Sequence, residues 1–301
     1  MMKRLLLTAL LIGFTGLLYS GNVLSVVTST SDFADIASQI GGDRVKVTSL
    51  TGGKFDLHSI EPRPSMVMAV RNADLVVRIG MDLDLWCNSL IDASKNSRVL
   101  SGNAGNLDVS AGIEKLEVPV GKVDMGMGDV HIYGNPHYWL DPENGLIIAG
   151  EIRDRLCQLV PDAKDYFTKN FDSYTNRLTA SIRRWDEQMK PYRGLKVITY
   201  HKSLPYFAKR FGLVVADNLE PKPGIPPTPA HLKEIEEKVK NEKIGLILVE
   251  NYYNADAAET VARNTGAHVA RIVSSAGGAP EVKTYEGVFD YDIAKILGQM
   301  K

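Results

Sequence analysis

Cysteine is nearly missing from this chain: two thiols in 301 residues exclude a disulfide-stapled scaffold. Cys87 and Cys157 form no Cys-x-x-Cys motif, so neither a thiolate zinc knuckle nor a thioredoxin-type centre is available. Both lie in apolar helical patterns, Leu85-Trp86-Cys87 and Arg155-Leu156-Cys157, and read as free thiols, although their spacing does not decide whether they pair. Excess charge of one sign is missing too. Thirty-five Lys and Arg against 36 Asp and Glu leave a formal net charge of −1. No global basic field exists for nucleic acid or an acidic membrane surface, and a polyanionic partner is not expected. Long apolar runs are absent beyond Leu5–Leu18, which is shorter than the roughly 20 residues of a spanning helix. With the positive start Met1–Arg4 before it and Tyr19, Ser20 and Gly21 after it, that run reads as a signal peptide over residues 1–22. The cut falls between Ser20 and Ser25. No cysteine follows the run, so lipid attachment at a new N-terminal cysteine is not expected. The remaining protein belongs in the periplasm or another extracytoplasmic space.

What is present is a repeating alternation of short apolar strands and amphipathic helices. Strand patterns at Ser25–Ser29, Val45–Leu50, Ala73–Ile79 and near Arg98–Leu100 alternate with helical patterns at Ser31–Ile40, Pro64–Asn72 and Leu83–Ala93. Ser110–Tyr133 has no clear period and reads as a surface loop with room for a hairpin; helical spacing resumes over Glu143–Leu159. Pro161 opens a long amphipathic helix, Asp162–Met189, with Phe167, Phe171, Tyr174, Leu178, Ile182 and Trp185 at three- and four-residue steps. The alternation then restarts: strands Lys196–Tyr200, Leu213–Ala216, Ile244–Val249 and Ala267–Ile272, helices Leu204–Phe211, Ala230–Asn241, Ala255–Thr265 and Phe289–Met300. Strands separated by helices imply parallel pairing through right-handed crossovers. The expected fold is therefore α/β, with two lobes, each a mainly parallel sheet flanked by helices, joined by one long backbone helix. The lobes are residues 23–160 and 191–301, with the connecting helix over 161–190. A stiff helical connector predicts a small rocking of the lobes rather than wide hinge closure.

Three histidines stand in turns beside these elements. His137 lies in Asn135–Pro142, between two prolines and just before a helix. His58 lies in a loop after a strand, and His201 follows Lys196–Tyr200 directly. Glu250 ends the apolar strand Ile244–Val249. Ligands of open parallel sheets sit at the carboxyl ends of strands, so both lobes can present these groups to one cleft. Three imidazoles and a carboxylate suit Zn²⁺ in tetrahedral geometry at about 2.0–2.2 Å. Each histidine alone also fits a capping role, and Glu250 fits a cap on the helix that begins near Asn254. His268, within a strand pattern, and His231, on the exposed start of a helix, read as capping or hydrogen-bonding groups.

Four segments together resemble the metal-binding solute-binding proteins of bacterial zinc and manganese ABC importers, the TroA-like family. His58-Ser59-Ile60-Glu61-Pro62-Arg63-Pro64-Ser65 matches that family's His-x-x-Glu-Pro-x-Pro-Ser pattern and leads into Asn72–Gly80. Pro136–Pro142 matches its Pro-His-x-Trp-Leu-Asp-Pro, His201 with Tyr206–Leu213 its third histidine segment, and Gly224–Leu232 its proline-containing helix start. The resemblance covers nearly the whole mature chain. It implies a non-enzymatic, monomeric protein that captures one divalent transition metal between two lobes and delivers it to a membrane permease. It assigns His58, His137 and His201 as ligands. Three histidines go with the zinc-type members and a glutamate third ligand with the manganese type, so Zn²⁺ is expected over Mn²⁺. Where the family often has an acid after its last strand, this chain reads Arg271-Ile-Val-Ser-Ser-Ala276, which leaves Glu250 as the expected fourth ligand. Asp290, Asp292 or water are alternatives. Glu61 and Asp141 are candidates to orient His58 and His137 from behind, with a helix N-terminal role before Pro142 as the alternative for Asp141. Asp124, Asp129 and His131 would be the remnant of a metal-gathering loop, or part of an ordinary flexible one. Two rivals remain from other classes: a siderophore or haem binder of similar architecture, and a zinc hydrolase using a three-histidine site.

Overall fold

The computed structural model describes residues 23–121, 123, 127–128 and 130–300. The expected signal peptide, Asp124 and Asp129 lie outside the described residues.

Two four-stranded sheets, all parallel, carry the fold. The first comprises β1 (Leu24–Thr28), β2 (Val45–Ser49), β3 (Leu75–Arg78) and β4 (Asn106–Asp108), in the order β2-β1-β3-β4. The second comprises β5 (Lys196–Thr199), β6 (Val214–Asn218), β7 (Leu246–Glu250) and β8 (His268–Ile272), in the order β6-β5-β7-β8. The connectivity is the same in both. In each sheet the chain leaves the first strand to one side and returns on the other, so a crevice opens at the carboxyl ends of β1 and β3, and of β5 and β7. β3 and β7 are apolar in all but their last residue, as expected of central strands covered on both faces.

In the first lobe α1 (Ser31–Gly41), α2 (Pro64–Arg71), α3 (Trp86–Ser94) and α4 (Pro142–Leu159) flank the sheet. The link is α5 (Lys164–Met189), entered through a 3₁₀ turn at Pro161–Ala163. Its 26 residues span roughly 39 Å at about 1.5 Å per residue. Phe167, Tyr174, Leu178, Ile182, Trp185 and Met189 make its buried stripe. The second lobe adds α6 (Pro205–Phe211), α7 (Pro229–Glu242), α8 (Asp256–Thr265) and α9 (Tyr285–Gly298).

One continuous core joins the lobes. It runs from Val26, Leu75 and Val77 under the first sheet, through the α5 stripe, to Leu246, Leu248 and Phe289 in the second. Cross-lobe hydrogen bonds reinforce it. Asp32 Oδ1 accepts from Ala276 N at 2.9 Å, Asp35 Oδ2 accepts from Tyr285 N at 2.8 Å, and Asn251 Nδ2 donates to Gly53 O at 3.1 Å. Gly53 is required for this approach, because a Cβ there would lie 2.5 Å from the Ala276 carbonyl oxygen.

Three local expectations change. Ser97–Val99 is a 3₁₀ turn rather than a strand: the Asn96 side chain accepts from Arg98 N and donates to Val70 O and Ala73 O, which curls the backbone. The edge strand comes later, at Asn106–Asp108, paired with Val76–Arg78. No hairpin strands occur among the described residues of Ser110–Tyr133. The last helix starts four residues earlier, at Tyr285, because Thr284 caps it through a hydrogen bond from Gly287 N. Cys87 and Cys157 are free thiols, the first buried on α3 and the second half-buried on α4.

Candidate metal centre

His58, His137 and His201 converge at the carboxyl edges of the two sheets. Their ring centroids form a nearly equilateral triangle with sides of 5.2, 5.1 and 5.4 Å. One ring nitrogen from each lies within 4.8 Å of the other two. His137 and His201 are buried, and the His58 side chain is 11% exposed.

Two of the three rings are held by the same device. Asp56 precedes His58 by two residues, and its Oδ1 accepts from His58 N at 2.9 Å and meets His58 Nδ1 at 2.7 Å. Asn135 precedes His137 by two residues and does the same, with both contacts at 3.0 Å. This is an Asx turn whose side-chain oxygen also takes the ring. His201 Nδ1 meets Glu220 Oε2 at 2.7 Å. With every Nδ1 engaged, the Nε2 atoms are left as ligand positions, an arrangement that fixes tautomer and ring orientation.

The frame behind the rings is stiff. The 3₁₀ turn Tyr138–Leu140 is pinned from three sides. Tyr138 OH donates to Ile79 O at 2.6 Å, Trp139 Nε1 to Ser274 O at 2.8 Å, and Tyr285 OH to Trp139 O at 2.6 Å. Asn135 Nδ2 donates to Lys202 O at 2.8 Å and so ties the His137 turn to the loop that follows His201.

Glu250 closes β7 as a fully buried carboxylate. Ser203 Oγ donates to Oε1, while Oε2 has no hydrogen-bond partner among the described residues. Burial pushes its pKa up to about 7, against the lowering influence of His201 and the Ser203 bond. An orphaned buried oxygen of this kind fits a cation. Arg271, in the stretch without an acid, donates to Tyr253 O at 3.0 Å and Asn251 O at 2.8 Å, and thereby holds the loop that leaves Glu250.

Charge is distributed unevenly over the triad. Burial and the neighbouring histidines hold His137 well below the usual histidine range. For His201 burial acts downward, but the Glu220 hydrogen bond and the charges of Glu250, Glu220 and Asp56 outweigh it and raise its pKa. Asp56 titrates below the usual range: its contacts with His58 outweigh burial.

The carboxylates expected behind the histidines stand elsewhere. Asp141 caps α4 by accepting from Glu143 N at 3.0 Å and pairs with Arg210 Nε at 2.9 Å. Glu61 is exposed ahead of α2. The groups that hold Nδ1 are Asp56 and Asn135, and the signal for both was an Asx residue two positions before a histidine. His131 reaches the site, its Nε2 lying 3.2 Å from His58 Nε2. Asp290 bonds Arg184 and Trp185, and Asp292 accepts from Val273 N at 2.8 Å, so both are committed to the fold. His231, at the start of α7, bonds through Nε2 to Asn218 O at the end of β6, and His268 is exposed on β8.

A cavity of about 110 Å³ adjoins the triad, lined by His131, His137, His201, Glu117 and Lys202 among others. A larger one, about 680 Å³, lies beyond Asp82 and is walled by Arg78, Asp84, Asn88 and Asp108; no histidine lines it. The donor atoms, not the larger volume, mark the functional position.

An Asp56→Asn variant tests the Asx device on its own. The amide still caps the turn, but its charge on the His58 ring is lost. Metal affinity is expected to fall about 10–100-fold with the fold intact; an unchanged dissociation constant by isothermal titration would refute an orienting role for Asp56.

Comparison with known proteins agrees with this architecture. A family model described as ZnuA, zinc-uptake complex component A, periplasmic, matches residues 26–298. The manganese ABC transporter substrate-binding lipoprotein PsaA of Streptococcus mitis is 28% identical over 286 residues, covering 92% of this chain and 89% of that protein. The zinc-binding lipoprotein AdcA of Streptococcus pneumoniae is 28% identical over 244 residues, 81% of this chain and 48% of that protein. A crystal structure of ZnuA shares the fold, with a TM-score of 0.78 at 24% identity over 93% of this chain and 100% of that one. With the family match extending across both sheets and the helix between them, this chain belongs to the ZnuA family of periplasmic zinc-uptake components.

Proposed function

We propose that this protein captures one Zn²⁺ ion between its lobes and delivers it to the membrane permease of an ABC importer. His58, His137 and His201 bind through Nε2, and Glu250 supplies an oxygen from the second lobe. The observation that carries the reading is the triangle of imidazoles whose Nδ1 atoms are all engaged and whose ligand atoms converge within 4.8 Å. A nitrogen-rich donor set favours zinc, whereas manganese prefers oxygen-rich sites. The zinc-uptake family and a zinc-binding relative support the same choice, while PsaA relatives carry manganese in their name.

The family consists of transport components, not enzymes. A haem or siderophore binder would need a pocket of several hundred Å³ at the site, against about 110 Å³ here. Within the described residues no helix is long and apolar enough to cross a membrane. The signal-peptide pattern and the family place it outside the cytoplasm, with lobes at residues 23–160 and 191–301 about the helix at 161–190, acting as a monomer with the membrane permease as its partner. Nucleic acid is not a partner.

Elemental analysis of untagged protein exported by its own host, followed by competition of Zn²⁺ against Mn²⁺, tests this. One zinc per chain is expected, with zinc displacing manganese at equal concentration. Protein that emerges loaded with manganese and keeps it against equimolar zinc would overturn the assignment.

A further inference from the structure

His131 stands outside the convergent triad, yet it is built as a ligand is built. Its Nδ1 is held by Asp82 Oδ1, and Asp82 Oδ2 accepts from the next backbone N–H, Ile132 N, at 3.1 Å. One carboxylate thus fixes both the ring and the loop that carries it. Asp82 itself sits in a strained tract after β3: Gly80, Met81 and Asp82 all have positive φ, at 73°, 49° and 57°. Left-handed backbone costs roughly 1–2 kcal/mol at each non-glycine residue and persists where surrounding structure enforces it, often at functional positions. Here Asp84 enforces it, accepting from Ile79 N at 2.7 Å and Gly80 N at 3.1 Å. The strained tract aims Asp82 at His131.

The far side of the ring meets His58. Both Nδ1 atoms are engaged by carboxylates, and the two Nε2 atoms face each other at 3.2 Å, a spacing that a shared proton or a shared cation satisfies. Two nitrogens bound to one tetrahedral zinc at about 2.0–2.1 Å are separated by about 3.3 Å, close to the spacing found.

We propose that His131 is a metal ligand of this site and competes with Glu250 for the fourth coordination position. The proposal rests on the reading of the three histidines as a metal site. Three imidazoles leave one position in a four-coordinate shell. His131 reaches it from the first lobe and Glu250, with its free Oε2, from the second. Occupancy by His131 gives a shell of four nitrogens; occupancy by Glu250 gives three nitrogens and an oxygen. The exchange decides whether the last bond to the ion comes from the loop before the His137 turn or from the lobe that carries His201.

X-ray absorption of the Zn²⁺-loaded full-length protein and competition titration with a chromophoric chelator test this in Glu250→Gln, His131→Ala, the double variant and His137→Ala. In Glu250→Gln the imidazole count is expected to be four, and three in the double variant. Each single change at 131 or 250 is expected to weaken zinc by about tenfold, because the other donor substitutes. The double variant should fall by more than a thousandfold, well past the product of the two. A count of three in Glu250→Gln, with the double variant no weaker than Glu250→Gln, overturns the role of His131 and leaves the triad standing. If His137→Ala binds zinc as tightly as the unaltered protein, the triad reading fails and this inference with it.

Discussion

Replacing His137 by alanine is expected to weaken zinc by well over a hundredfold, more than the 10–100-fold that loss of an outer-shell partner costs. The ring is buried, its Nδ1 is tied to Asn135, and its turn is pinned to Ile79, Ser274 and Tyr285. Trp139 and the two triad partners pack around the ring and fix its position. A thermal readout separates binding from folding. Ligand at a hundred times its dissociation constant stabilises a protein by about 2.7 kcal/mol, so the unaltered protein should melt markedly higher with zinc than without. His137→Ala should show a similar metal-free transition and almost no zinc-dependent rise. A variant that keeps its affinity to within a few-fold would remove His137 from the ligand set.

Acid should release the metal over the range that Glu250 and His201 set. Glu250 titrates near 7 and His201 above the usual histidine range, so both hold protons at pH 6 in the metal-free protein. Binding requires carboxylate and neutral imidazole and therefore expels those protons. Affinity is expected to rise by up to about a hundredfold per pH unit below 6.5, the limit for two protons released, and to level off above about 8. Glu250→Gln should remove one proton from that count; calorimetry in buffers of different ionisation enthalpy measures it. A slope identical in the two proteins would exclude Glu250 from the linkage.

The metal-free protein responds to pH in the opposite sense. A carboxyl group whose folded pKa is raised favours the native state while protonated, so stability is lost as pH rises from the unfolded value toward the folded one. For Glu250 that window runs from 4.5 to about 7, and for Asp32 from 3.8 to about 6. The raised His201 acts in the same direction, its contribution being lost as pH rises through its folded value. The depressed His137 opposes them, but only below its unfolded value of 6.5. Above pH 6.5 that opposition fades, so toward pH 7.5 the metal-free protein loses stability while the affinity for zinc grows.

Periodicity made the two lobes and their connector readable, because strand and helix patterns of ordinary length leave few alternatives to parallel sheets with crossover helices. The same reading failed at Ser97–Val99, where a single Asn96 side chain bonding three backbone groups outweighs the β preference of Val99. The triad was also legible. Three histidines sit beside strand ends or helix starts, and strand ends of a parallel sheet share one edge.

What held those histidines was only half legible. Asp56 and Asn135 act over two residues, and that pattern is visible in the chain. Glu220 reaches His201 from the end of β6, and Asp82 reaches His131 across 49 positions. Such pairings depend on where strands are laid side by side, which local sequence does not encode. By itself, then, the sequence determined the elements, their order and the kinds of donor atom brought to the carboxyl edges. Only the tertiary structure decided which nitrogen of each ring faces inward and that Glu250 keeps an unpartnered oxygen. That oxygen is unpartnered among the described residues. The tertiary structure also decided that His131 meets His58. Each of these rests on contacts between segments far apart in the chain, whose distances are fixed by packing across the two lobes.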